Sequence, residues 1–169
     1  MNLSKRTIFS WAAVILWMAI IFILSHQPAS VSSNLSSGIT EAIIRAFERI
    51  MPDAQFDIRN FHFVVRKNAH FIAYFVLGFL TFHALRQSGV RGIRSFLFSF
   101  GICALYAISD EVHQLFIPGR SGEVRDVVID SAGACAGIAV FGLLARFISK
   151  NKRSFRSDAR SSGHSFKRI

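Results

Sequence analysis

Residues Ser109–Asp130 read SDEVHQLFIPGRSGEVRDVVID, and five carboxylates, one histidine and two arginines fall within these 22 positions. Apolar stretches bound the run, from about Ile93 to Phe116 before it and from about Val124 to Ile148 after it. Each is long enough to cross hydrocarbon as a helix, which takes roughly 20 apolar residues. Pro118 and Gly119 make a tight turn between them. The stretch therefore predicts two antiparallel membrane helices joined by a polar turn. Ionisable groups in or against lipid are costly, so they mark function more often than decoration.

Outward from this hairpin, two further stretches have membrane length. One runs from Ile8 to Leu24; the other runs from about Phe61 to Leu85 and is interrupted by Arg66, Lys67 and His70. Composition agrees: 51% of residues are hydrophobic and 18 are Phe, far above the usage of a soluble domain, while the net charge is +10. Apolar stripes with basic ends describe a polytopic membrane protein. Nucleic acid is not an expected partner, because the basic residues flank apolar segments and no helix-turn-helix or finger pattern occurs. The two cysteines, Cys103 and Cys135, lie inside apolar segments and form no zinc or disulfide framework. The expected fold class is all-α: a polytopic integral membrane bundle of four transmembrane helices.

Basic residues set the expected orientation. Lys5 and Arg6 precede the first span, Arg86, Arg91 and Arg94 follow the second, and Lys150, Lys152, Arg153, Arg156, Arg160, Lys167 and Arg168 fill the tail. The positive-inside rule puts both termini and the middle loop in the cytoplasm, in a multi-pass protein of the cell membrane. The first segment has a long apolar core without a small-x-small cleavage site and reads as an uncleaved anchor. Residues 1–150 form the transmembrane domain; residues 151–169, rich in Ser, Arg and Lys, read as a disordered cytoplasmic tail. In the first outer loop, Ile39, Ala42, Ile43, Ala46, Phe47 and Ile50 share one helical side opposite Glu41, Arg45, Glu48 and Arg49, until Pro52 stops the pattern. This predicts an amphipathic helix lying in the interface.

Helix counting brings the polar residues to one depth. Lys67, His70 and Tyr74 follow i, i+3, i+7; Asp110, His113 and Gln114 follow i, i+3, i+4; Asp126 and Asp130 are i, i+4. Lys67, His70, Asp110, Glu111, His113, Asp126 and Asp130 fall in the outer third of the bilayer at 1.5 Å of rise per residue. The face of Asp126 and Asp130 continues through Gly133, Gly137 and Phe141. Gly133 and Gly137 form G-x-x-x-G, which admits a close helix, either within the chain or in a homodimer. The turn would hold Arg120, with its fixed fork of donors, over the mouth of the bundle.

The segments FILSHQPASVSS (Phe22–Ser33), KNAHFIAYFVLGF (Lys67–Phe79) and SDEVHQLFIPGRSGEVRDVVIDSAG (Ser109–Gly133) together resemble the VanZ-like membrane proteins. The last is the most specific. The family's usual Ser-Ser-Gln appears here as Ser25, His26 and Gln27. The resemblance implies a helical membrane protein of the bacterial envelope; low-level teicoplanin resistance belongs to the family's namesake. It marks Lys67, His70, Asp110, Glu111, His113, Gln114, Arg120, Asp126 and Asp130 as the residues to test.

Several functions fit these groups. An anionic envelope lipid or its pyrophosphate headgroup would be drawn by Lys67 and Arg120, with His70 and Gln114 beside them. Alternatively, Asp110, Glu111, His113, Asp126 and Asp130 offer oxygen and imidazole ligands for a divalent metal in a hydrolase or transferase. In that case His70, Asp110, Glu111, His113, Asp126 and Asp130 are the catalytic candidates. No cofactor is firmly implied, because neither H-E-x-x-H nor a second di-iron unit is present. A proton-coupled lipid transporter and a purely structural charge network are the remaining readings. Serine chemistry lacks a G-x-S-x-G elbow.

Overall fold

A computed structural model describes residues 4–28, 31, 38 and 58–165, with side chains between 64 and 147 in the last stretch. Four helices follow in order: α1 (Lys5–Ser25), α2 (Ile58–Gln87), α3 (Ile93–Gln114) and α4 (Val124–Ser165). Among the described residues there is no strand. Each helix contains a stretch long and apolar enough to cross a membrane: Lys5–Ser25, Val64–Gln87, Ile93–Gln114 and Val124–Phe147. The amphipathic helix expected around Ile39 to Ile50 lies outside the described residues.

The helices alternate in direction because the loops between α2 and α3, and between α3 and α4, are short. α2 is the central element; it packs on α1, α3 and most extensively on α4. Its buried residues Tyr74, Leu77, Thr81 and Ala84 form a single helical stripe. α3 turns inward a stripe of small and polar residues, Ser95, Ser99, Cys103 and Ala107, which ends in Asp110 and Gln114. Large apolar side chains such as Phe9, Leu105, Phe116 and Phe147 lie on the outside. This inversion suits lipid: bilayer helices gain little by burying Leu or Phe against each other and pack instead through small residues and hydrogen bonds. Such bonds tie α1 to its neighbours, with Trp17 Nε1 donating to the Ala73 carbonyl at 2.8 Å and the Tyr106 hydroxyl to the Met18 carbonyl at 2.6 Å.

The tightest contact is between α2 and α4. A Cβ on Gly133 or Gly137 would run into the carbonyl oxygens of Phe71 and Phe75, and one on Gly78 would meet the Ala134 backbone. The expected G-x-x-x-G face is thus buried within the chain. Backbone of α2 fills the space their missing side chains leave, so a homodimer through the helix that bears them would use another of its faces.

The backbone of α4 is helical through Ser165, where composition argued for a disordered tail beyond residue 150. Propagating a formed helix costs far less than nucleating one, so a long apolar helix can carry its backbone into a Ser-rich segment.

Candidate functional site

The alternation of the helices brings the end of α1, the start of α2, the end of α3 and the start of α4 to one end of the bundle. The turn between α3 and α4 crosses that end. Arg120 N–H donates to the Ile117 carbonyl at 3.1 Å, and Gly119 has φ 76°. A type II turn with Pro at its second position and Gly at its third has this form.

At the centre lie His70 of α2, Asp110 of α3 and Asp130 of α4. One ligand atom from each falls within 4.8 Å of the other two. Asp130 is 0% and Asp110 2% exposed, yet both Asp130 oxygens and Asp110 Oδ1 have no hydrogen-bond partner. Buried carboxylate oxygens are rarely left so, because each forfeits its water without replacement. His70 Nδ1 stands 3.6 Å from Asp130 Oδ1, too far for a hydrogen bond. Two ligands on a tetrahedral ion with bonds of about 2.1 Å are about 3.4 Å apart. The His70–Asp130 pair at 3.6 Å matches that spacing, while any pair near the 4.8 Å limit would have to close by about 1 Å or more on binding. The Tyr74 hydroxyl, also buried and unpartnered, is within electrostatic reach of Asp110 and Asp130.

The other polar groups hold this centre in place. Ser25 Oγ donates to Asp110 Oδ2 at 2.8 Å, and Gln114 Nε2 reaches Asp110 Oδ2 and Glu111 Oε1, each at 3.3 Å. Glu111 Oε2 accepts from the Glu123 N–H at 2.8 Å, pinning the start of α4 to the end of α3. Lys67 pairs with Asp126, and its Nζ is 3.4 Å from Glu123 Oε2.

Arg120 points back into the bundle. Its Nε donates to the Gln27 carbonyl at 2.9 Å, Nη2 to the Leu24 carbonyl at 3.2 Å and Nη1 to Gln114 Oε1 at 3.2 Å. The guanidinium therefore caps the carboxyl end of α1, satisfying carbonyls that a helix terminus leaves open. Burial and then the Arg66 charge lower its pKa, with Asp110 and Glu111 acting the other way; arginine stays protonated throughout. Arg120→Ala should lower stability by about 2–3 kcal/mol, the worth of charge-assisted bonds left unmade. Arg120→Lys should recover only part, since an ammonium cannot replace a fork that donates in three directions. Thermal melts in detergent measure both.

The site differs from the sequence expectation in membership. His70, named there for a headgroup and for catalysis, is the imidazole of the metal-type cluster, whereas His113 is turned away. His113 Nε2 lies 3.1 Å from His26 Nδ1, and its ring packs on Phe22 at 4.6 Å between centroids. The cause is rotation about α3: relative to Asp110, Gln114 sits about 40° away, His113 about 60° on the other side and Glu111 about 100°. Only the narrow arc facing α2 and α4 reaches the centre. Glu111 therefore serves the turn, and Asp126 serves Lys67. Lys67 and Arg120, expected to attract an anion, are both engaged by the protein's own oxygens. Sequence reasoning missed Ser25 and Tyr74 as site members. Both were visible, one in the Ser-His-Gln segment and the other seven residues after Lys67 on the same face.

A family model described as VanZ/LLP1 matches residues 9–148, from within the first apolar span to the end of the fourth. No curated protein and no solved structure matches the chain.

Proposed function

The chain belongs to the VanZ/LLP1 family and is a multi-pass membrane protein, and from that premise we propose that it binds a divalent cation through His70, Asp110 and Asp130 and holds the phosphate of an anionic envelope lipid on that cation. The observation that carries the reading is the set of buried carboxylate oxygens without a partner, facing an imidazole at 3.6 Å. Two carboxylates this close need a cation or a shared proton between them. One imidazole with carboxylate oxygens suits Zn2+ or Mn2+ better than an all-oxygen ion such as Ca2+. Three protein ligands leave coordination positions for an outside oxygen. A phosphate there would be bound without a free cationic side chain, which fits the internal use of Lys67 and Arg120.

On the positive-inside argument, the site faces the outer leaflet of the cell membrane, with both termini in the cytoplasm. A phosphate-bearing envelope lipid is also the class of molecule through which such a protein would bear on teicoplanin resistance.

Elemental analysis and native mass spectrometry of the detergent-purified chain test the proposal. We expect about one divalent ion per chain, together with an anionic lipid that leaves when a chelator removes the ion. Absence of metal, with melting unaffected by chelator and by added Zn2+ or Mn2+, would sink the cation site and leave a shared proton in its place. Metal retained while lipid binding ignores the chelator would sink the bridging role.

A further inference from the structure

At the opposite end of the bundle, α2, the start of α3 and the second half of α4 enclose an open cleft of about 730 Å³. That volume is in the range of small-molecule sites, roughly 300–1,000 Å³. The cleft shares no residue with the His70 cluster. Its inner wall is apolar, formed by Phe82, Phe96 and Ile138. Ile93 and Leu143, 69% and 56% exposed, form its outer lips. Gly142 keeps part of the wall flat; a Cβ placed on it would meet nothing within 4 Å.

The rim is cationic. Arg86 from the last turn of α2 and Arg146 from α4 line the same cleft. The first turn of α3 enters between them through Gly92, which caps the helix without a side-chain hydrogen bond. Helix amino termini carry unsatisfied N–H groups and partial positive charge, which adds to two guanidinium groups in favouring phosphate. Arg146 is also the last basic residue before the apolar span ends at Phe147, so the rim lies where an interface is expected.

We propose that this cleft binds an anionic phospholipid from the leaflet at that end, with an acyl chain against Phe82, Phe96 and Ile138 and the phosphate between Arg86 and Arg146. Charge complementarity selects the occupant. A zwitterionic lipid brings a choline that two arginines repel, and a soluble phosphate leaves the apolar wall uncovered. Lipid tails in the cleft gain packing that flat, annular contact does not supply. Arginine on two different helices also makes the bound lipid a tie between α2 and α4.

The test is a titration of the full-length detergent-purified chain with dioleoylphosphatidylglycerol or dioleoylphosphatidylcholine, read by native mass spectrometry. The two lipids share their chains and differ in headgroup. The wild type should bind the anionic lipid about tenfold more tightly, about 1.4 kcal/mol, because both lipids present the same phosphate and only the choline is repelled by the two arginines. In the Arg86→Gln/Arg146→Gln double variant that preference should fall about tenfold relative to the wild type. The basic tail is identical in both proteins, so its attraction for anionic lipid cancels in the comparison. Gly142→Leu, which fills the cleft and keeps both arginines, should weaken both lipids by a similar factor. It also keeps the test open if the double variant does not fold. Equal affinity of the wild type for the two lipids overturns the proposal. So does a preference unchanged by loss of both arginines, or binding by Gly142→Leu equal to that of the wild type.

Discussion

Asp130→Asn should abolish cation binding while leaving the fold in place. The side chain is fully buried, and neither carboxylate oxygen accepts a hydrogen bond, although Oδ1 faces His70 at 3.6 Å. Asparagine keeps the volume but replaces one oxygen by an NH2 group, which repels a cation and can donate to Asp110 Oδ1 instead. The expected loss in affinity is at least about 100-fold, beyond the 10–100-fold typical of a group that only orients a ligand. Stability gives an independent readout. At a hundredfold excess over its dissociation constant, a bound ion adds about 2.7 kcal/mol, or roughly 5–10 °C in Tm for a chain of this size. Chelator should therefore lower the wild-type melting temperature by that amount and leave Asp130→Asn unmoved. Asp110→Asn should behave alike. Ser25→Ala removes only the hydroxyl that orients Asp110, and should cost about tenfold in affinity. An Asp130→Asn protein that still carried one ion per chain would exclude the triad as the site.

Gly137→Leu should separate α2 from α4 and destabilise the protein more than any other single change proposed here. A Cβ at Gly137 already overlaps the Phe75 carbonyl and crowds the Phe79 N–H. Nothing flexible can move aside, because both obstacles are backbone. Even alanine should cost about 1–3 kcal/mol, the usual penalty for overpacking, and leucine more. Gly101→Ala is the control: a Cβ at Gly101 in α3 would meet nothing within 4 Å. It should be neutral or stabilising by up to about 1 kcal/mol, the difference in helix propensity. Because α2 carries His70 and α4 carries Asp130, Gly137→Leu should also lower cation affinity. A Gly137→Leu melt matching the wild type would show that α2 and α4 are not packed through this face.

The axial positions of the polar groups were legible from spacing alone. Helix rise is fixed at 1.5 Å per residue, so Lys67 and His70 could be set level with Asp110, Asp126 and Asp130 before any fold was known. The Ile117–Arg120 turn was equally plain, because Pro118 and Gly119 restrict the backbone locally. Rotation about each helix was not legible to the same degree. In a soluble helix the apolar stripe marks the buried face. Here the outer face is apolar as well, so Phe116 on the surface and Ala107 in the core belong to one hydrophobic pattern. That ambiguity is why spacing alone groups His113 with the ligands, although it pairs with His26 on another side of α3.

The sequence by itself determined the class of the protein, its four spans, their alternation and the end of the bundle where charge collects. These follow from lengths, local turn chemistry and the cost of charge in hydrocarbon, none of which needs a neighbour. Only the tertiary structure decided which groups face one another. It turned Arg120 inward to cap α1, used the Gly133 and Gly137 face within the chain, and left Asp110 Oδ1 and both Asp130 oxygens beside His70 without a hydrogen bond. The physical reason is that a hydrogen bond or an ion site depends on fractions of an ångström between different helices. That distance is set by how closely small residues let backbones approach.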